Sequence, residues 1–343
     1  MRRRKVDVPV MSELSMNVTA AEVVKGKRVL VIGASGFVGH HLLRQLFAEG
    51  YYHVFATKLP GEKIDLPELH DAGLSVLDLN ILSAEDTEAV ISSVTPDVIM
   101  HLAAQSSVGL SFQKPELTMK INIIGSLHVL DAVRGACPVA RLLFIGSSEQ
   151  YGIVREDMLP VQEYMAAEPV SPYAVSKLAV EQLSRVYVKS YGLDILLVRA
   201  FNHIGPGQLP AFVVSDFARQ IALIEKKQNE AILYVGDLSA KRDFTDVRDI
   251  VRGYIALTER GVSGEIYNIG SGVSLSVREI LDTLLSASKA GIAVEVTPER
   301  IRPIEIPEIR ADISKIQRDT GWKPQISIMK SLEDTLDYWR ANV

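Results

Sequence analysis

The chain of 343 residues has a single cysteine, Cys137, only 6% aromatic residues, and no long run of apolar residues. One cysteine excludes a disulfide framework and a thiolate metal site within one chain, and it fits a reducing cytoplasm, the location that we expect. A membrane span needs about 18 to 20 consecutive apolar residues, so none is predicted. The other proportions, 47% apolar and 23% charged, are those of a globular protein large enough for one large or two modest domains.

The chain also lacks an excess of positive charge, because 37 Lys and Arg residues stand against 42 Asp and Glu residues. Nucleic acid and membranes are therefore not expected as partners. The start is basic over residues 1–5, but residues 6–20 mix charged and polar residues where a signal peptide has an apolar run. We expect residues 1–25 to form a loose tail.

From Lys27 onward, short β-branched or Leu-rich runs alternate with longer helical patterns. This alternation predicts an α/β fold, a Rossmann-like, doubly wound parallel sheet with helices on both faces, over residues 26–200. The predicted strands are Arg28–Ile32, His53–Thr57, Leu74–Leu77, Val98–Leu102, Leu142–Gly146 and Ile195–Arg199. The predicted helices are Phe37–Glu49, Ala84–Ser93, Pro115–Arg134 and Tyr173–Tyr191.

The pattern changes after Ala200, which predicts a smaller, mixed α/β domain over residues 201–343 that binds the substrate. Part of residues 240–270 is expected to return to the first domain. A Ser276-to-Glu279 capping box marks the start of one helix, and the last helix is predicted near Ile328–Arg340. A cleft between the two domains is the expected binding site.

A glycine-rich turn, Gly33-Ala-Ser35-Gly36-Phe37-Val38-Gly39, follows the first predicted strand and precedes a helix. Glycine lets the backbone turn sharply and approach a pyrophosphate at the N-terminus of a helix, where free N–H groups favour an anion. A plain strand-to-helix turn is the alternative, but three glycines at the start of a βαβ pattern favour dinucleotide binding.

Residues after the second and third strands bear on which dinucleotide binds. An acidic residue at the end of the second strand would bind the ribose of NAD, whereas a cation leaves room for the 2′-phosphate of NADP. The chain has Lys58 there and Glu62 further along the loop, so NADP(H) is favoured and NAD(H) remains possible. Asp78 could accept a hydrogen bond from the adenine amino group, or could be an ordinary turn residue.

A second motif, Tyr173-Ala-Val-Ser-Lys177, opens a long predicted helix. Four-residue spacing places both side chains on one face, so the Lys177 ammonium is expected to lower the pKa of the Tyr173 phenol. Tyr173 could then exchange a proton with a substrate oxygen near neutral pH. Ser147 and Ser148 follow the fifth strand, where hydroxyl groups would face the cleft.

These motifs together resemble the extended short-chain dehydrogenase/reductases, the NAD-dependent epimerase/dehydratase family, from Arg28 to the C-terminus. The resemblance implies that Ser147 bonds the sugar oxygen, Tyr173 is the acid or base, and Lys177 binds the nicotinamide ribose. It also implies cofactor contacts along Leu79, Leu102, Ala103, Ala104 and Asn122.

The resemblance further implies a grip on the diphosphate and ribose of a nucleotide sugar. Arginine suits phosphate because its guanidinium group matches the phosphate oxygens in charge and geometry. The implied substrate residues are Ser106, Ser147, Ser148, Glu149, Asn202, Gln208, Arg242, Arg302 and Glu305.

Among the activities of this family, the segments NHIGPGQ, RDFTDVRD and TGWKP most resemble those of enzymes that reduce GDP-4-keto-6-deoxy-D-mannose to GDP-D-rhamnose. Glu149 leaves an alternative open, because it stands where 4,6-dehydratases keep the base that removes the C5 proton of GDP-mannose. Against the dehydratase, the loop after Asn202 lacks an arginine-rich segment. A catalytically silent cofactor-binding regulator is a further alternative, which the presence of Ser147, Tyr173 and Lys177 disfavours.

The resemblance also implies a homodimer joined through a four-helix bundle of Pro115–Arg134 and Tyr173–Tyr191 from two copies. The apolar residues of these helices would equally suit packing against their own sheet. The sequence alone leaves both possibilities open.

Overall fold

The computed structural model of the protein describes residues 26–51, 53–300 and 306–343, and the predicted tail of residues 1–25 lies outside them. Its strands are β1 Val29–Ile32, β2 Val54–Lys58, β3 Ser75–Asp78, β4 Val98–His101, β5 Arg141–Ile145, β6 Asp194–Ala200, β7 Asn202–Ile204, β8 Ile232–Val235, β9 Lys241–Asp246, β10 Ile266–Ile269, β11 Ser274–Ser276, β12 Ala293–Val296 and β13 Glu308–Ile309. Its α-helices are α1 Phe37–Ala48, α2 Pro67–Asp71, α3 Ala84–Val94, α4 Val108–Gln113, α5 Pro115–Met119, α6 Gly125–Ala136, α7 Pro172–Tyr191, α8 Val213–Glu225, α9 Val247–Arg260, α10 Val277–Ser286, α11 Ser314–Thr320 and α12 Ile328–Asn342.

Seven strands form one parallel sheet in the order β10-β6-β5-β4-β1-β2-β3. The predicted doubly wound sheet is confirmed. The chain moves outward in opposite directions from β1 and β4, which are neighbours, so the sheet has a topological switch point between them. Ligands of such sheets bind at the carboxyl ends of the strands beside that point.

Apolar side chains cover both faces of this sheet. On one face, Leu42 and Leu46 of α1 pack with Ile250 and Tyr254 of α9. On the other face, helices α3, α6 and α7 form a second cluster with the sheet. The strand residues of β1 are fully buried, which explains why its sequence, VLVI, is apolar on both sides.

The remaining strands form two small sheets. Strand β9 pairs with β7, β11 and β13, and β8 pairs with β12 in parallel. Helices α8, α10 and α12 share an apolar core with them. Strand β10 belongs to the large sheet, and Trp322 lies in the apolar cluster formed by that sheet with α1 and α9, so late segments of the chain also pack on the first part. A boundary at residue 200 stays a prediction.

One predicted helix differs from the structure. The Pro115–Arg134 pattern is interrupted by a π-helical turn at Lys120–Ile124, between α5 and α6. The apolar residues on either side follow helical spacing, so the sequence pattern did not reveal the wider turn. Within the described part of the chain, no helix is both long enough and apolar enough to cross a membrane.

Candidate active site

The glycine-rich turn between β1 and α1 has the shape that a pyrophosphate requires. Gly33 has φ +84°, and a Cβ there would lie 2.6 Å from the Ala103 backbone. A Cβ on Gly39 would overlap the Ala34 backbone, so both glycines are needed for the turn itself. A Cβ on Gly36, by contrast, would meet no atom of the described chain closer than 3.7 Å.

Gly36 is therefore not explained by packing within the protein. It is the N-cap of α1, and no side chain caps that helix end. An open glycine and an uncapped twelve-residue helix together fit a phosphate group lying against the turn. The residues present thus fit a dinucleotide.

Charged groups surround the far end of this turn. Lys58, the last residue of β2, forms an ion pair with Asp78 at the end of β3. Ser35 of the turn donates to the Glu62 carboxylate at 2.6 Å. The sequence pattern does not predict this contact, because only the folded loop brings Glu62 to Ser35.

The loop after β4 closes this side of the pocket. The amides of Leu102 and Ala103 both donate to the Ile32 carbonyl, at 2.9 and 3.0 Å, which holds Ala103 against the glycine turn; Ala104 follows in the same loop. Leu79 is 4% exposed, and its side chain packs in the apolar core formed by the sheet with α3, α6 and α7.

Asn122 lies beneath the site in the π-helical turn. Its side-chain oxygen accepts from the Gln105 amide at 2.8 Å, and its nitrogen donates to the Gln105 carbonyl at 3.0 Å and to Ser176 Oγ at 2.8 Å. Both amide hydrogens are thus used within the protein. In this arrangement Asn122 shapes the pocket by tying the loop after β4 to α7.

The predicted catalytic residues meet at the carboxyl end of β5. Ser147 caps a 3₁₀ turn over Ser148–Tyr151, and Ser171 and Pro172 begin α7 so that Tyr173 lies in its first turn. Tyr173 and Ser147 are both 8% exposed. Burial raises the pKa of Tyr173 to about 12, although a hydrogen bond with Ser147 acts in the opposite direction, and the nearby Glu149 charge raises it further.

The expectation that Lys177 lowers the pKa of Tyr173 does not hold in this structure. Lys177 Nζ donates to the Ile145 carbonyl at 2.8 Å and lies 5.9 Å from the centre of the Tyr173 ring. Burial lowers the pKa of Lys177 to about 8. The ammonium is directed at a backbone carbonyl instead of the phenol, so desolvation determines the state of Tyr173.

The predicted substrate residues are brought together only in part. Asn202 and Ser106 are exposed, and Ser148 is buried. Gln208 is buried and donates to the His203 carbonyl at 2.9 Å. Arg242 donates to the Ile306 carbonyl at 2.6 Å, while Arg302 and Glu305 lie outside the described residues.

Two contacts hold the loop after β7 against the helix of the glycine turn. His41 Nε2 lies 2.8 Å from the Pro206 carbonyl oxygen, and the rings of Phe37 and His203 are stacked with centroids 6.3 Å apart. The segment from Asn202 to Gln208 is therefore held against α1, the helix that follows the glycine-rich turn.

The sequence did not single out a buried polar cluster behind Ser147. It consists of Gln150, Glu181 and Arg199, which are 0%, 4% and 3% exposed. The available signals were their spacings, since Gln150 is three residues after Ser147 and Glu181 is four residues after Lys177. Spacing alone could not show that the three side chains meet.

Comparisons with known proteins show the family of the chain. The model of the GDP-mannose 4,6-dehydratase family matches residues 30–335. The GDP-6-deoxy-D-mannose reductase of Pseudomonas aeruginosa is 35% identical, over 92% of this chain and 98% of that protein. A GDP-mannose 4,6-dehydratase of Vibrio cholerae is 28% identical, over 90% and 92%.

A solved structure is similar over nearly the whole chain as well. It is RMD from Pseudomonas aeruginosa in complex with NADPH, with a TM-score of 0.79 and 33% identity over 92% of this chain and 100% of that one. The glycine turn, the Ser147, Tyr173 and Lys177 set, and these matches lead to one conclusion. The chain belongs to the GDP-mannose 4,6-dehydratase family of NAD(P)-dependent enzymes.

Proposed function

We propose that this protein reduces the C4 keto group of GDP-4-keto-6-deoxy-D-mannose to give GDP-D-rhamnose. The observation that carries the proposal is that Ser147, after β5, and Tyr173, at the start of α7, are both buried, each 8% exposed, and that burial raises the pKa of the Tyr173 phenol to about 12. Such a phenol holds its proton at neutral pH, which suits a group that must donate one. The 35% identity to a GDP-6-deoxy-D-mannose reductase supports the same reaction.

The residues have distinct roles in this proposal. NAD(P)H, when bound, supplies the hydride to C4. Tyr173 donates its proton to the oxygen that becomes the alcohol, and the Ser147 hydroxyl stabilises the charge on that oxygen. Lys177 binds the nicotinamide ribose. Asn202, Gln208, Arg242 and Arg302 hold the nucleotide diphosphate, and Glu305 holds its ribose.

The direct test supplies two substrates separately to the purified protein. GDP-4-keto-6-deoxymannose is given with NADPH, and GDP-mannose with NADP, while nicotinamide absorbance is followed and sugars are identified by mass and NMR. Stoichiometric NADPH oxidation with the keto sugar alone would establish the reductase. Loss of water from GDP-mannose without net cofactor change would establish the dehydratase. Cofactor binding without turnover of either substrate would indicate a silent regulator.

Glu149→Gln separates the two enzymatic alternatives. A dehydratase that uses Glu149 as its C5 base should lose roughly 10²- to 10⁴-fold in kcat, whereas the reductase should keep substantial activity. Because the Glu149 charge raises the pKa of Tyr173, its removal should lower that pKa. The loss of reductase kcat at alkaline pH should then begin at a lower pH, which a pH–rate profile measures.

We propose NADP(H) as the cofactor, with NAD(H) possible, and Lys58 and Glu62 as the residues that set the preference. Lys58→Ala should weaken binding of 2′,5′-ADP by roughly 10-fold or more, because a hydrogen bond to a charged group contributes about 1.5–3 kcal/mol. Glu62→Gln should strengthen it, since the carboxylate repels the 2′-phosphate. Calorimetric titration with 2′,5′-ADP and 5′-AMP measures both effects.

The exposed Lys63, on the same loop, provides the control. Lys63→Ala should change neither titration. Equal weakening of 5′-AMP and 2′,5′-ADP by Lys58→Ala would contradict the proposed contact with the 2′-phosphate.

We propose that two copies join through the helices α5 to α7. Of the apolar residues in this part of the chain, Leu130 and Val133 are buried within one chain, but Ile124 is 43% exposed, and Val186 on α7 is 52% exposed. Val186→Glu should therefore convert a dimer into a monomer in analytical ultracentrifugation. Val139→Glu, at a 92% exposed position after α6, should not. A wild-type monomer would exclude the dimer.

We also propose a cytoplasmic location, which the single cysteine supports.

A further inference from the structure

A buried ion pair lies directly behind the catalytic serine. Arg199 of β6 donates twice to Glu181 of α7, from Nε to Oε2 at 2.9 Å and from Nη2 to Oε1 at 2.8 Å. Each side chain is 4% exposed. The Arg199 guanidinium also lies 4.6 Å from the centre of the Tyr151 ring. A buried pair costs desolvation and is weak evidence of a gain in stability, so another role for it deserves a test.

Gln150 connects this pair to Ser147. Its Nε2 donates to Glu181 Oε2 at 2.8 Å, and its Oε1 accepts from the Ser147 amide at 2.8 Å. A carboxylate only accepts and a backbone N–H only donates, so the amide of Gln150 has one possible orientation. Gly146 leaves the space for it, because a Cβ at that position would overlap Gln150 Oε1.

The connection joins two separate parts of the active site. Ser147 follows β5, whereas Glu181 shares α7 with Tyr173 and Lys177. Through Gln150, the carboxylate of Glu181 therefore fixes the position of the Ser147 backbone relative to α7, the helix that carries the proton donor. Position matters at this point, because a displacement of about 1 Å can cost roughly 100-fold in rate.

We propose that Gln150, held by the Glu181–Arg199 pair, is a positioning residue that sets the Ser147 hydroxyl against Tyr173 and the substrate oxygen. The proposal rests on the proposed reductase function. Gln150 touches neither substrate nor cofactor in it, and acts only through Ser147.

The test is a double-mutant cycle in kcat with Gln150→Met and Ser147→Ala. Gln150→Met keeps the length of the side chain and removes both hydrogen bonds. Alone, it should lower kcat by roughly 10- to 100-fold, with KM for the keto sugar within about threefold of the wild type. In the Ser147→Ala background it should change kcat by less than about threefold, because the hydroxyl that it positions is gone. Equal losses in both backgrounds would overturn the proposal.

Gln220 provides a matched control. It is a buried glutamine on α8 that, like Gln150, accepts from a backbone amide, that of Tyr234 at 2.9 Å, and donates to a carboxylate, that of Asp216 at 2.8 Å; it also donates to the Tyr234 carbonyl at 3.1 Å. Gln220→Met should lower stability by a similar amount and leave kcat unchanged. If kcat falls as much in Gln220→Met as in Gln150→Met, the loss of any buried side-chain amide lowers kcat, and the effect is not specific to Gln150.

A measurement without turnover separates this proposal from the proposed function. Hydrogen exchange of the Ser147 amide, followed by NMR, should be slow in the wild type and at least about tenfold faster in Gln150→Met, since a lost hydrogen bond costs roughly 1.4 kcal/mol or more. The wild type could fail to reduce the keto sugar while Gln150→Met still speeds exchange of the Ser147 amide. That result would contradict the proposed function but support the hydrogen bond from the Ser147 amide to Gln150. Unchanged exchange would overturn the link itself.

Discussion

Tyr173→Phe should lower kcat for the keto sugar by roughly 10²- to 10⁴-fold, the usual contribution of a positioned acid. The phenylalanine ring fills the same buried space but has no proton to give. Burial raises the pKa of the wild-type phenol to about 12, so the group that the substitution removes is a protonated donor at neutral pH. Stopped-flow measurement of NADPH oxidation gives the loss directly.

Cofactor affinity should remain within about threefold of the wild type, because Lys177 and the glycine turn are unchanged. Tyr187→Phe provides the control on the same helix. Tyr187 is 8% exposed and donates to Asp131 at 2.7 Å, away from Ser147. It should keep wild-type kcat. Wild-type turnover in Tyr173→Phe would instead remove Tyr173 from the acid role.

Arg199→Leu should lower the free energy of unfolding by about 3–5 kcal/mol, the usual cost of leaving one member of a buried pair without its partner. Glu181 is 4% exposed, so water cannot replace the guanidinium group. Denaturation in urea, followed by circular dichroism, measures the change.

The control for this prediction is an exposed pair. Arg44 and Glu68 lie 3.2 Å apart with side chains 52% and 53% exposed, so Arg44→Leu should cost less than about 1 kcal/mol. Replacing both Arg199 and Glu181 by Leu should recover much of the lost stability, because no buried charge remains. If Arg199→Leu lowers the free energy of unfolding no more than Arg44→Leu does, the Arg199–Glu181 pair is not desolvated, contrary to what the structure indicates.

The large sheet could be predicted because its central strands, such as β1 and β4, are buried on both faces. Such strands form continuous apolar runs, and Val29–Ile32 is a clear example. The short strands around β9 could not be predicted, because Asn202–Ile204 and Ser274–Ser276 are three residues long and have no periodic pattern. The contacts of Asn122 in the π-helical turn could not be predicted either, because its side chain bonds to Gln105 and Ser176, which are distant in sequence.

The sequence by itself determined the types and local spacing of the groups in the site. Gly33 to Gly39 forms a turn before a helix, and Tyr173 and Lys177 lie one helical turn apart, because both arrangements depend only on neighbouring residues. Tertiary structure alone decided the state of those groups. The pKa of Tyr173 follows from burial, and Lys177 turns to Ile145. Burial and contacts between distant segments exist only once the chain has folded, and for the same reason only the fold joins Gln150, Glu181 and Arg199 behind Ser147.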